Sequence, residues 1–88
     1  MSRTIWKFPI TTHHQQIAMP EGAKILHVAE QYPLQIYLWA EVDTHATSVF
    51  RNIFVYGTGH VLPDNPGNYI GSVLLCSEQL IFHFYEGA

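Results

Sequence analysis

Leu34-Gln35-Ile36-Tyr37-Leu38-Trp39-Ala40-Glu41-Val42 alternates without a break. Leu34, Ile36, Leu38, Ala40 and Val42 form an apolar set, and Gln35, Tyr37, Trp39 and Glu41 fall between them. Successive side chains of a strand point to opposite faces of its sheet, so this period of two predicts a half-buried β-strand. The second set carries two large aromatic rings, which predicts that its outer face is not left entirely to water.

Working outward, the same pattern recurs in short pieces with turn signals between them. Residues 4–8 read as a strand with Trp6 and Phe8 on one face, closed by Pro9 or confined by it to a sheet edge. Residues 17–19 make a short strand that ends at Pro20-Glu21-Gly22, a turn in which proline presets φ and glycine releases it. Residues 23–31 alternate and are read as a strand, with a helix as the alternative. Residues 49–56 form a strand expected to pair with 34–42 as a hairpin across the polar loop 43–47. Leu62-Pro63-Asp64-Asn65-Pro66-Gly67-Asn68 is the densest loop signal. Residues 69–76 follow as a strand with a bulge signal at Gly71, then the tight connection Ser77-Glu78-Gln79. The last strand, 80–86, sets Leu80, Phe82 and Phe84 against Ile81, His83 and Tyr85. About six to seven short strands with these spacings predict an all-β domain over residues 1–88, a small antiparallel sandwich or barrel.

Composition narrows the function classes. The chain has 88 residues, of which 48% are hydrophobic, 14% aromatic and only 12% charged, with a net charge of -3 when histidines are neutral. Ordinary soluble proteins carry about 25% charged residues. So little surface charge, with apolar residues on both faces of two strands, predicts a homo-oligomer. The basic residues are Arg3, Lys7, Lys24 and Arg51, too few and too scattered for duplex DNA, which needs many cationic phosphate contacts. A single-stranded nucleic acid or a mononucleotide held by stacking and backbone N–H groups is compatible with this composition. The lone cysteine, Cys76, has no internal disulfide partner, and no stretch has the length of a membrane span or a signal-peptide core. A cytoplasmic protein is expected.

Several blocks resemble a known group. Thr4-Ile5-Trp6-Lys7-Phe8-Pro9, Met19-Pro20-Glu21-Gly22-Ala23-Lys24-Ile25-Leu26, Leu38-Trp39-Ala40-Glu41-Val42-Asp43, Gly57-Thr58-Gly59-His60, Tyr69-Ile70-Gly71 and Phe82-His83-Phe84-Tyr85-Glu86 are similar, in this order, to a family of short, mostly uncharacterised proteins common in phages, prophages and bacteria. The resemblance covers nearly the whole chain. It implies no enzyme activity; its phage setting points to an accessory or anti-defence role.

The most distinctive chemistry lies in Gly57-Thr58-Gly59-His60, which ends the apolar run at Tyr56. The plain reading is a turn that needs positive φ twice. The functional reading is an anion nest, in which consecutive N–H groups hold a phosphate with the Thr58 hydroxyl and a His60 N–H. The stretch lacks the Gly-Lys-Ser/Thr ending of a P-loop and the dinucleotide fingerprint. Arg51, in line with Val49, Ile53 and Val55, needs a partner if buried: Glu41 or Asp43 on the neighbouring strand, or a ligand phosphate. Trp6, Trp39, Tyr37, Tyr56 and Tyr69 are core or interface residues by default, and one or two of them could stack on a base or other planar ring. The candidate ligand-binding set is therefore Gly57, Thr58, Gly59, His60, Arg51, Tyr56, Trp6 and Tyr69.

The histidines have no metal-ligand spacing, and His27 and His83 read as satisfied sheet residues. Cys76 near His83 or His60 lies in apolar sequence that would raise a thiol pKa. Neither a nucleophile elbow nor a framed carboxylate pair is present, so no catalytic residue, metal or cofactor is expected. Two readings stand: a non-enzymatic phage-type protein that sequesters a phosphorylated small molecule such as a nucleotide defence signal, and a protein–protein interaction module (an inhibitor or virion accessory) with no such ligand.

Overall fold

The computed structural model describes residues 2–75 and 80–88. Among them the chain runs through β1 (Arg3–Ile10), β2 (His14–Pro20), β3 (Lys24–Tyr32), β4 (Gln35–Asp43), β5 (Ser48–Gly57), β6 (Asn68–Leu74) and β7 (Ile81–Gly87). Residues 24–32 are strand, not helix: alternation there delivers Val28 to the core at 4% exposure. Cys76 and the connection Ser77-Glu78-Gln79 lie outside the described residues.

The strands form two antiparallel sheets, ordered β1-β4-β3 and β2-β5-β7-β6, stacked as a sandwich. The Cα envelope measures 42 × 31 × 16 Å, and its short dimension suits two layers about 10 Å apart. β3 and β6, each at an edge of its own sheet, run close together along one side. Gly71 helps them approach, since a Cβ there would sit 3.0 Å from Val28 Cγ1. The pairing irregularity between Tyr69 and Gly71 is the bulge that the glycine signalled.

The expected hairpin of 34–42 with 49–56 does not form. β4 has both edges taken, by β1 and β3, whereas β5 lies between β2 and β7 in the other sheet. The reason is burial: Leu38, Ala40 and Val42 of β4 and Ile53 of β5 are all fully buried. Putting the two strands in facing sheets lets both apolar sets share one interior. The 44–47 segment makes the crossing, with Thr44 N–H donating to Ser2 O and Glu21 N–H donating to Thr47 O.

Cross-strand partners share a face, so the register sorts every side chain. The interior is built from Ile17, Met19, Val28, Leu38, Ala40, Val42, Ile53, Val73, Leu75 and Phe84. Full burial of a Leu, Ile, Met or Phe stabilises by about 1.5–3 kcal/mol each, which is the main force holding the sheets together. Pro9 sits in the edge strand β1, where its missing N–H leaves no gap in the ladder. The tight β3–β4 turn places Leu34 at φ 63° with 68% of its surface exposed, a conformation that normally falls to glycine.

Candidate functional site

The outer face of the four-stranded sheet is aromatic. His14 of β2 stacks on Phe54 of β5 with centroids 4.3 Å apart, and Phe54 lies parallel to Tyr56 at 6.5 Å. Tyr56 meets Tyr85 of β7 edge-on at 5.8 Å, and Tyr85 meets Tyr69 of β6 at 5.4 Å. The register explains this ladder: His14 opposes Phe54, Phe54 opposes Tyr85, and Tyr85 opposes Tyr69. No Asp, Glu, Lys or Arg occupies an outward position on these four strands.

The ladder ends at a hollow of about 280 Å³ lined by Tyr56, Gly57, Thr58, Gly59, His60, Leu62, His83 and Tyr85. The glycine turn forms one part of its rim. Only Gly59 needs left-handed backbone, at φ +89°; the expectation of two such positions is corrected at Gly57. That residue is glycine for a steric reason. The His60 ring lies over it, and a Cβ would come 2.8 Å from Cε1.

The turn's own N–H groups are mostly spent internally. Gly57 N–H donates to His60 Nδ1 at 3.2 Å, Thr58 N–H to Ile81 O, and His60 N–H to Gly57 O. The row of free donors expected of an anion nest is therefore absent, and Gly59 N–H is the turn amide left open. Because His60 Nδ1 accepts, the neutral ring carries its proton on Nε2, and that N–H is available to a ligand.

Beside the turn runs a hydrogen-bonded chain of side chains. Tyr69 OH is 2.6 Å from Ser72 Oγ, and Ser72 Oγ is 2.6 Å from His83 Nδ1. His83 Nε2 is 2.8 Å from Thr58 Oγ1, and Thr58 Oγ1 donates to Ile81 O at 3.2 Å. The donor inventory fixes every proton. Thr58 spends its hydrogen on a carbonyl, so His83 must donate from Nε2. His83 Nδ1 then accepts from Ser72, and Ser72 accepts from Tyr69. Reading His83 as a satisfied sheet residue holds; its partners are what the sequence does not display.

The other expected site residues lie elsewhere. Arg51 faces inward at one end of the sandwich. It pairs with Glu86 through Nε and, at 2.9 Å, Nη2, and donates from Nη1 to Ala23 O at 2.9 Å. Hydrogen bonding to Glu86 raises the guanidinium pKa above its ordinary value. The expected partners are corrected: Glu41 instead bonds Arg3 on the outer face of the other sheet, and β4, which carries Glu41 and Asp43, is not a neighbour of β5. Trp6 opposes Ala40 on the inner face of β1 and is 41% exposed. The structure thus brings Tyr56, Gly57, Thr58, Gly59 and His60 together, joins Tyr69 to them through Ser72 and His83, and sets Arg51 and Trp6 apart. Tyr85, His83 and Ser72 were missed because only the β5–β7–β6 register carries them to the turn.

Among the described residues no cluster of His, Cys, Asp or Glu is placed to hold a metal, and no helix is long and apolar enough to cross a membrane. Compared with known proteins, residues 1–88 match the family model described as Domain of unknown function (DUF7352). No curated protein and no solved structure matches.

Proposed function

The chain belongs to the DUF7352 family, whose function is unknown, and from that premise we propose that it is a binding module for a planar, phosphorylated small molecule of the nucleotide type. The observation that carries this reading is the aromatic ladder ending in the Tyr56–Tyr85 hollow. Base–aromatic stacking contributes about 1–3 kcal/mol per base, and two rings meeting edge-on offer a face and a wall. The hollow has no lysine or arginine in its lining. A phosphate is met instead by Gly59 N–H and His60 Nε2–H, so stacking supplies most of the affinity and salt weakens binding only mildly.

The finer reading follows the resemblance to phage-borne proteins. The ligand is then a nucleotide signal of bacterial defence, and the protein sequesters it in the host cytoplasm. A thermal-shift screen against mono-, di- and cyclic nucleotides tests both levels. A ligand at a hundredfold excess over its Kd stabilises the fold by about 2.7 kcal/mol, a rise in Tm on the order of 10–20 °C for a chain of this size. Only a cyclic or signalling nucleotide producing that rise supports the finer level. If no nucleotide moves Tm, the reading fails.

A second reading rests on the uncharged outer face of the four-stranded sheet. Phe50, Tyr69 and Leu74 are 70%, 58% and 60% exposed there. Such a face can pair with its own copy without opposing like charges. The protein is then a homo-oligomer or an interaction module. Sedimentation giving only a monomer mass at micromolar concentration, together with Phe50→Glu leaving that mass unchanged, would exclude self-association through this face.

A further inference from the structure

We propose that Ser72 is an activated nucleophile that accepts acyl groups from short-chain activated carboxylic esters, with His83 as its general base. A serine nucleophile requires a base within hydrogen-bond reach and a third group that orients the base. Ser72 Oγ lies 2.6 Å from His83 Nδ1, and Thr58 Oγ1 holds the opposite ring nitrogen at 2.8 Å. Thr58 donates its own hydrogen to Ile81 O, so it can only accept from His83. This pins the tautomer that leaves the Nδ1 lone pair aimed at Ser72. Thr58 is thus a positioning residue. Ser72 is exposed on β6, as a group that must meet a substrate has to be.

Two neighbours complete the arrangement. Tyr69 OH lies 2.6 Å from Ser72 Oγ. When that oxygen forms a new bond to carbon, the phenol O–H is released to donate to the oxyanion one bond away. A second hollow, of about 280 Å³, opens beside Ser72 between the edges of β3 and β6, with Val28, Ala29, Val73 and Leu74 among its walls. His27 and Glu30 line it as well, and it is large enough for a short acyl chain.

The reaction balances without a further reagent. Ser72 Oγ attacks the ester carbonyl while its proton passes to His83 Nδ1. The C–O bond to the leaving alkoxide breaks, and the alkoxide takes that proton and departs as the alcohol. Water then attacks the acyl-serine, giving its proton to the same nitrogen, which returns it to Ser72 Oγ as the carboxylic acid leaves. The Ser72–His83 pair is a cross-strand contact, which explains why no sequence motif announces it.

The test uses the full chain with p-nitrophenyl acetate and butyrate, followed by release of nitrophenol and by peptide mass mapping of the acylated protein. The expected result is one acyl group per chain on Ser72. His83→Gln should slow acylation at least a hundredfold. Tyr69→Phe should slow it about tenfold or more. Thr58→Val should slow it, and Thr58→Ser should restore it, with circular dichroism confirming that each variant is folded. Acyl groups on histidine, tyrosine or lysine in place of Ser72 would overturn the proposal. So would a wild-type rate no faster than that of the chain unfolded in urea. Mapping on the wild-type chain keeps the test decisive even if a variant fails to fold. Nucleotides play no part in it, so the outcome is separable from the thermal-shift screen.

Discussion

An alanine at position 57 would carry its Cβ to 2.8 Å from His60 Cε1 and 3.0 Å from Nδ1. The imidazole is the end of an exposed side chain, so it swings away rather than forcing the backbone apart. The cost is then the Gly57 N–H···Nδ1 hydrogen bond, about 1 kcal/mol net. Against it stands the lower entropy of the unfolded chain with alanine, about 0.4–1 kcal/mol. That gain is available because φ at Gly57 is not positive. Gly57→Ala should therefore be neutral to mildly destabilising in the wild-type protein. In a His60→Ala background the ring and its bond are already gone, and the same change should stabilise. The expected coupling is about 1 kcal/mol, above the few tenths by which independent sites depart from additivity. Gly59→Ala provides the contrast. Its Cβ meets nothing, but φ is +89°, so it should cost about 1–2 kcal/mol in either background. Urea denaturation followed by tryptophan fluorescence gives all the values from midpoints at constant m. Equal effects of Gly57→Ala with and without His60 would refute the argument that the imidazole is what excludes a side chain there.

Three further outcomes are expected. Leu34→Gly relieves the φ of 63° at an exposed position and should stabilise by up to about 1 kcal/mol; a lower Tm in calorimetry would show that the leucine makes contacts outweighing its strain. Glu86→Ala strands the half-buried Arg51 guanidinium with Ala23 O as its remaining acceptor and should cost about 1–3 kcal/mol, most of it recovered by Arg51→Met with Glu86→Leu; chemical denaturation in which the two single changes simply add would contradict this. The Asp43 carboxylate accepts the His45 N–H at 3.0 Å, and this bond lowers its pKa below 3.8. A depressed folded-state pKa stabilises above 3.8 and ceases to do so as pH falls through the lower folded value. Acid titration of Tm should accordingly show wild type losing its advantage over Asp43→Asn below that pH, and an unchanged gap down to pH 2 would argue against the bond.

What could be read in advance was burial, one strand at a time. Alternation marked Leu38, Ala40 and Val42 as interior, and all three are fully buried. It also favoured strand over helix for 23–31, and β3 runs from Lys24 to Tyr32. Alternation reports which side of a strand is covered, though, and not which strand lies beside it. The false 34–42 hairpin and the wrong partner for Arg51 share that cause. The glycines divide similarly. Gly59 follows from backbone torsion and was legible, whereas Gly57 answers to a ring that folds back from three residues on. The side chains that link Tyr69 to Thr58, Ser72 and His83, lie on two different strands, and only their register assembles them.

Two pairs of consecutive strands, β3 with β4 and β6 with β7, are hydrogen-bonded neighbours; β1 must wait for β4, β2 for β5, and β5 for β7. β7 is the last strand in chain order yet sits between β5 and β6. A chain emerging during synthesis can close the β3–β4 hairpin early, but it cannot assemble the four-stranded sheet until residues 81–87 arrive. Loop closure must be met in entropy before such distant pairings return any energy. Folding should therefore be slow for a chain of this size, with no stable native half. A truncation that removes β7 would leave β2-β5 and β6 as separate fragments rather than a smaller sheet.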